Sequence, residues 1–108
     1  MNFKELVDTY DFHDSLITKI QRGINVEITI DFCHWKQEYY NSSMSETGEV
    51  KLLCHNAIID SPIDGNIDYY SILDIVASDT QATINVLDDF NDTEYTITIT
   101  SALVKFVL

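Results

Sequence analysis

The clearest pattern in the chain is an alternation of apolar and polar residues between residues 24 and 35. The apolar side chains recur at every second position, and they are Ile24, Val26, Ile28, Ile30 and Phe32. Successive side chains of a β-strand point to opposite faces, so this spacing predicts a strand with one buried face and one face toward water. A shift of the pairing by one residue would bury Glu27 and Asp31, so we expect a fixed register.

The segment before this strand predicts a short helix and a first strand. The apolar positions of one helical face are Phe3, Leu6, Val7 and Tyr10. Asn2 can cap the helix, with Glu5 as its reciprocal partner. A strand is predicted over residues 16–20, and residues 21–23 should turn the chain, with a glycine suited to positive φ. Residues 16–35 should therefore form a hairpin.

The middle of the chain is interpreted as a loop followed by two strands. Residues 36–48 are polar and show no period, which indicates a long loop. Residues 49–59 predict a strand whose apolar phase changes at His55-Asn56, and such a change indicates a bulge. Residues 69–77 fit a helix or a strand, and their short length and β-branched content favour a strand.

Two more alternating segments complete the pattern. Their apolar residues are Ala82, Ile84 and Val86, then Tyr95, Ile97 and Ile99. The phase then changes toward Val104, Phe106 and Leu108, and Ser101-Ala102 between them suits a bulge or bend as well as a hairpin. We predict a single mainly β domain over residues 1–108. Its antiparallel sheet of six or seven strands should curl into a sandwich or partial barrel, with a short N-terminal helix.

The net charge restricts the kinds of partner that the protein can bind. Eighteen acids and six bases give a net charge of −12. Between Lys51 and Lys105 there is no base. The nine acids of that segment are Asp60, Asp64, Asp68, Asp74, Asp79, Asp88, Asp89, Asp92 and Glu94. Such a field repels nucleic acids and anionic membranes, and it attracts cations or a basic protein. We therefore exclude nucleic-acid binding, while acidity that serves only solubility remains the alternative.

The first residues and the cysteines bear on cellular location. No apolar run approaches the roughly 20 residues of a membrane helix. Acids occupy the start of the chain, where a signal peptide has its apolar core, so we expect a cytoplasmic protein. Cys33 and Cys54 should then be free, and Cys54 in particular should be buried.

Several segments have the ligand types of a metal site without its spacing. Cys33-His34 and Cys54-His55 carry zinc ligands, but neighbours on a strand face opposite ways. Residues 64–68 have oxygen ligands at alternate positions, but the glycine and glutamate of an EF-hand loop are absent. Residues 88–92 form a second oxygen-rich loop, so adventitious calcium binding stays open. We predict no structural metal and no cofactor.

Aromatic residues cluster where the strand predicted over residues 24–35 ends and the long loop begins. They are Trp35, Tyr39 and Tyr40. Exposed aromatic side chains beside acids are typical of protein-binding surfaces. Alternatively, Trp35 and one tyrosine cover an open end of the core. We predict a binding surface made of these aromatic residues and three loop acids, Asp88, Asp89 and Asp92.

The segment Phe12-His13-Asp14-Ser15 contains the side-chain types of a hydrolase triad in adjacent positions. Neighbours on an extended chain diverge, whereas a triad needs three converging groups. We therefore expect a structural role, in which Asp14 or Ser15 bonds local backbone N–H groups. An enzyme with His13 and an acid as its working pair is the least favoured hypothesis, and we predict that the protein is not an enzyme.

The run from Asp11 to Ile20, DFHDSLITKI, followed by an alternating strand, resembles the opening of a family of small bacterial β-rich proteins. These proteins have Phe-His-Asp followed by Ser or Ala, and some are similar to immunity proteins of polymorphic toxins. The match covers residues 11–32. The resemblance implies a non-enzymatic cytoplasmic protein. The net charge of −12 would then favour binding to a basic nuclease toxin.

The leading hypothesis is therefore a small acidic protein-binding module, and specifically an immunity protein that blocks a basic toxin. The alternative is a structural or assembly module that forms a homodimer through an exposed sheet edge.

Overall fold

Strands dominate the structure, a computed structural model that describes all residues from 1 to 108. The elements in chain order are α1 (Phe3–Thr9), β1 (Leu16–Gln21), β2 (Val26–Cys33), a 3₁₀ turn (His34–Lys36), β3 (Thr47–His55), β4 (Ile58–Asp60), β5 (Gly65–Ala77), β6 (Gln81–Asp88), β7 (Thr93–Thr100) and β8 (Leu103–Val107). The eight strands form one antiparallel sheet in the order β4-β7-β6-β5-β1-β2-β3-β8. The predicted mainly β class with a short N-terminal helix is confirmed. No helix here has the length and apolar character to cross a membrane.

Two long strands bend at the same place, and the bend makes the sheet curl. β3 leads into β4 and β7 leads into β8, each after only two intervening residues. Cys54 of β3 lies opposite Val104 of β8, and Ile59 of β4 lies opposite Ile99 of β7. Both strands advance by five residues between these pairs, so the two ladders share one register. The outermost segments of the sheet are thus continuations of inner strands, and the sheet wraps around one core.

The bend corrects one detail of the prediction. A bulge adds a residue to one strand only, whereas here neither strand gains a residue, so the bulge predicted at His55-Asn56 is wrong. The chain turns there with Asn56 at a φ of 44°. The buried Ser101 stabilises this corner, because its Oγ donates a hydrogen bond of 2.6 Å to the carbonyl oxygen of His55. Splitting both bent strands gives eight segments where six or seven strands were predicted.

The faces of β2 are largely as predicted. Val26, Ile28, Ile30 and Phe32 are fully buried. Ile24 is 80% exposed in the preceding turn, so its predicted place in the core is wrong. Thr29 was expected to face water but is only 6% exposed. Its cross-strand neighbours are Lys19 and Lys51, and long lysine stems can shield a short side chain between them.

The connections between strands confirm some of the predicted turns and element bounds and correct others. β1 and β2 form the predicted hairpin, but Gly23 does not have the expected positive φ. The glycine with positive φ is Gly65, at 70°, where β5 begins. Residues 69–77 form a strand, as predicted, although β5 starts earlier than expected. The predicted loop 36–48 contains the end of the 3₁₀ turn and the first residues of β3.

Helix α1 closes the core at one edge of the sheet. Its predicted capping box is present, because the Glu5 N–H donates to Asn2 Oδ1 at 2.8 Å and the Asn2 N–H donates to Glu5 Oε1 at 3.2 Å. Phe3 and Leu6 are buried in a cluster of 19 residues. Val104 of β8 donates its N–H to the Met1 carbonyl at 2.8 Å, so the N-terminus covers part of this sheet edge.

The buried face of β2 predicts unequal effects of two substitutions. Ile30→Ala should lower the free energy of unfolding by about 2–5 kcal/mol, because it empties a well-packed site. Val76→Ala, at a 66% exposed position of β5, should change it by less than about 0.5 kcal/mol. Urea denaturation of both variants measures this difference. Equal losses would contradict the placement of Ile30 in the core.

Candidate functional site

The predicted aromatic and acidic residues lie at the same end of the sheet. Leu16 of β1 pairs with Asp31 of β2 on one side and with Ser71 of β5 on the other. Ser71 in turn pairs with Leu87 of β6. The 3₁₀ turn after β2, the segment before β1 and the β6–β7 loop therefore share one end. Trp35 and the loop acids, which are more than fifty residues apart in sequence, are brought to this common end.

Asp88 organises the β6–β7 loop and is not part of its surface. It is only 3% exposed. Its carboxylate accepts the Phe90 N–H at 3.0 Å, the Asn91 N–H at 3.3 Å and the Asn91 side-chain amide at 2.8 Å. The hydrogen bond from the Asn91 side chain is the main cause of a lowered pKa for Asp88, and the Tyr70 hydroxyl contributes too. The predicted binding surface must therefore be drawn without Asp88.

The loop presents an aromatic ring that the sequence analysis missed. Phe90 is 96% exposed at the tip of the β6–β7 hairpin. Its acidic neighbours Asp89 and Asp92 are exposed, as predicted, and Asp89 accepts the Ser71 hydroxyl at 2.9 Å. Asp92 has a φ of 52°. The available signal was an apolar residue in the middle of the polar run DDFNDT.

A second exposed ring lies beside this loop. Tyr69 is 61% exposed and has a φ of 55°, where the register between β1 and β5 shifts. The next residue, Tyr70, stacks on Tyr95 with 5.6 Å between ring centroids. Burial is the main cause that raises the pKa of Tyr70, and the nearby Asp88 adds to it. The stacked pair connects β5 to β7 across β6.

The Trp35 group is also exposed. Trp35 is 50% exposed and Tyr39 is 41% exposed, whereas Tyr40 is half-buried. The Tyr39 hydroxyl lies 2.7 Å from His34 Nδ1, and partial burial raises the pKa of Tyr39. The exposure of Trp35 and Tyr39 favours a surface role over the alternative in which they cover the core.

The segment from Phe12 to Ser15 divides into buried and exposed residues. Phe12 is 4% exposed, and its ring lies 5.2 Å from that of Phe32. Ser15 is fully buried and its Oγ accepts the Cys33 N–H at 3.0 Å. The sequence analysis expected a bond from Asp14 or Ser15 to a local backbone N–H, whereas the partner of Ser15 lies on β2 and the local His13 N–H is accepted by Asp11. A buried, bonded Ser15 cannot serve as a nucleophile.

His13 and Asp14 face solvent and meet a lysine from the 3₁₀ turn. Lys36 Nζ lies 3.2 Å from His13 Nδ1 and 3.1 Å from Asp14 Oδ2. His13 Nδ1 is itself 3.3 Å from the same carboxylate oxygen. The hydrogen bond from Lys36 is the main cause that lowers the pKa of Asp14. Asp14 also donates its N–H to the Ile72 carbonyl at 3.0 Å, with a φ of 69°.

This cluster borders a groove of about 590 Å³. The charged and titratable side chains that line it are Asp8, Tyr10, Asp11, His13, Lys36, Glu38 and Asp74. A histidine beside a second titratable group in a groove is one feature of a catalytic site. Ser15 and both cysteines are buried and do not line the groove, whereas Thr9 and Tyr10 bring hydroxyl groups to its lining.

The two cysteines are buried, and the oxygen-rich turn at residues 64–68 is held by an ion pair and a hydrogen bond. Cys33 and Cys54 are free and buried, and burial raises the pKa of Cys54 to about 12. Asp64 pairs with Arg22 at 3.3 Å and accepts the Gly65 N–H at 2.8 Å. No group of three or more His, Cys, Asp or Glu side chains is arranged to hold a metal ion.

Comparison with protein-family models, with curated proteins and with solved structures gave no match for this chain in any of the three.

The role of Asp88 predicts a pH-dependent effect of Asp88→Asn. The lowered pKa means that the ionised carboxylate stabilises the folded state above its ordinary pKa of about 3.9. This contribution is lost as the pH falls through the lowered, folded-state pKa. The variant should therefore be less stable than the parent at pH 7, and the difference should shrink toward pH 3. Denaturant unfolding at both pH values measures it.

Asp89→Asn is the matched control, since Asp89 is exposed on the same loop and should give a small change at both pH values. A loss of stability from Asp88→Asn that is equal at pH 7 and pH 3 would refute the role assigned to the carboxylate.

Proposed function

We propose that this protein is an acidic protein-binding module, and specifically a cytoplasmic immunity protein that blocks a basic toxin without catalysis. The observation that carries the proposal is the distribution of charge. The base-free segment of the sequence becomes four neighbouring strands, β4, β7, β6 and β5. The eight exposed acids of this segment are Asp60, Asp64, Asp68, Asp74, Asp79, Asp89, Asp92 and Glu94. Only Asp64 pairs with a base, Arg22 of the β1–β2 connection, at 3.3 Å.

The bases lie on the other half of the sheet. Lys19, Lys51 and Lys105 belong to β1, β3 and β8, and Lys51 pairs with Glu27 at 2.9 Å. The molecule is therefore polarised, with its negative potential concentrated over β5 to β7. A field of this kind orients a basic partner before contact and speeds its association.

Exposed aromatic rings supply the short-range part of the proposed surface. Phe90 projects from the acidic half, with Tyr69 beside it and Trp35 at the same end of the sheet. Aromatic side chains dominate binding energy in protein interfaces because they bury much apolar area in one pocket. The loop is also held in place by Asp88, so little ordering of the backbone is needed on binding.

The resemblance of residues 11–32 to small bacterial β-rich proteins, some of which are similar to immunity proteins of polymorphic toxins, supports the choice of partner. Toxins that act on nucleic acids carry basic surfaces, because they bind phosphates. An acidic face with aromatic anchors is complementary to such a surface. The direct experiment is co-expression with a basic toxin encoded beside this gene: protection of the cells is expected, and unchanged killing would contradict the proposal.

Binding kinetics with that purified toxin should separate the two parts of the surface. The double variant Asp89→Asn and Asp92→Asn should lower mainly the on-rate and flatten its salt dependence, because steering adds about 10–10³-fold and is screened over about 8 Å at physiological salt. Asparagine tolerates the positive φ of Asp92, so the loop should keep its shape. Phe90→Ala and Trp35→Ala should instead raise the off-rate, by about tenfold or more for a true anchor.

Ile24→Ala is the control for the aromatic variants, since Ile24 is 80% exposed at the opposite end of β2. Its kinetics should match those of the parent. An on-rate that is indifferent to salt would show that the acidity serves solubility alone.

A second candidate function is homodimerisation, and the apolar side of β8 favours it. Leu103 and Val107 are each 42% exposed, and Leu108 is 75% exposed. This side carries Lys105 rather than the acids of the other half, so two copies could meet there with less repulsion. We expect Val107→Asp to yield monomers if the protein sediments as a dimer. A parent protein that sediments as a monomer at high concentration would exclude this candidate.

A further inference from the structure

One bulky residue occupies a backbone conformation that this chain otherwise reserves for glycine and small polar residues. Four residues other than glycine have a positive φ, and three of them are Asp14, Asn56 and Asp92. Aspartate and asparagine tolerate the left-handed region, because their short side chains can bond the local backbone. The fourth residue is Tyr69, with a φ of 55°, and for a bulky side chain such a value is a strained outlier.

Tyr69 lies in a bulge of β5, where a residue with positive φ is needed. Between its pairs with Lys19 and Ile17 of β1, β5 advances by four residues, from Asn66 to Tyr70, whereas β1 advances by two. The sequence GNIDY over residues 65–69 contains glycine, asparagine and aspartate, which adopt a positive φ more readily than tyrosine. The position that needs this φ is nevertheless occupied by an aromatic residue.

The side chain of Tyr69 makes few contacts that could offset the strain. It is 61% exposed, and its ring belongs to none of the aromatic pairs of the structure, whereas the ring of the adjacent Tyr70 stacks on Tyr95. Backbone strain of this kind clusters at binding and catalytic sites, where function keeps a residue that stability alone would replace. The exposed ring therefore indicates recognition of a group outside the chain.

The surroundings of the ring favour a cation. Asp68 precedes Tyr69 and is exposed, and Ser71, two residues further along β5, donates its hydroxyl to the exposed Asp89 at 2.9 Å. The face of an aromatic ring attracts cations. The guanidinium group of arginine is planar, so it can stack on a ring and also donate hydrogen bonds to a neighbouring carboxylate.

We infer that Tyr69 receives an arginine side chain of a basic protein partner, with the guanidinium group stacked on the ring and bonded to a neighbouring carboxylate. The inference rests on the proposed protein-binding function and adds a specific contact to it. It also places stability and recognition in conflict at one position, because the residue that binds the partner strains the bulge.

The strain can be tested without a partner. Tyr69→Gly and Tyr69→Asn should each raise the Tm by about 2–5 °C, because glycine and asparagine adopt a positive φ with less strain. Tyr39→Asn is the matched control, since Tyr39 is 41% exposed and has no positive φ, and it should not raise the Tm. If neither Tyr69 variant melts above the parent, the inference is overturned.

The contact can be tested with a hexa-arginine peptide as the probe. In the parent, the backbone NMR signals of residues 68–71 should shift when the peptide is added. Tyr69→Asn should weaken binding by about two- to fivefold in calorimetry, the usual effect of an exposed cation–π contact. Tyr39→Asn should bind the peptide as the parent does.

Equal affinities of Tyr69→Asn and the parent, or no shift at residues 68–71, would mean attraction by net charge alone and would overturn the inference. An equal loss of affinity for hexalysine would overturn the assignment of arginine. Neither result bears on protection of cells against the toxin, so the proposed immunity function can fail or hold independently.

Discussion

The shared bend of the β3–β4 and β7–β8 strands is the constraint on which the rest of the structure depends. Because both strands bend in one register, neither loses its pairing, and apolar residues on both sides of the corner reach the same core. Ser101 is buried at the corner with its hydroxyl against the His55 carbonyl. A straight strand pair would leave either Cys54 and Val104 or Ile59 and Ile99 on the solvent side.

The same bend separates the charges. It places the base-free segment on one half of the sheet and the lysines of β1, β3 and β8 on the other. Within the acidic half, Asp88 has a structural task that its neighbours Asp89 and Asp92 do not share. The buried Asp88 carboxylate thus holds the loop that exposes Phe90 to solvent. This arrangement gives the proposed surface both its long-range field and a rigid apolar anchor.

The two aromatic groups are linked through β5. Asp14, which bonds Lys36 beside Trp35, also bonds the backbone of Ile72, and the adjacent Ser71 bonds Asp89 beside Phe90. Strands are about 4.8 Å apart, and β5 and β1 lie between β6 and β2, so the two groups are separated by about 14 Å. A partner that covers the proposed surface around Phe90 would therefore also lie close to the cluster of His13, Asp14 and Lys36.

The sequence by itself determined the local elements. The period-two alternation of β2, the Asn2–Glu5 capping box and the phase change near Ser101 all depend on neighbours in the chain, and each is found in the structure. Only the tertiary structure decided that Asp88 is buried, that Ile24 is exposed and that Lys36 meets His13. The Lys36–His13 contact joins two segments that only the pairing of β1 with β2 brings together. Residue periodicity records which face of an element is apolar, but it carries no information on contacts between distant loops.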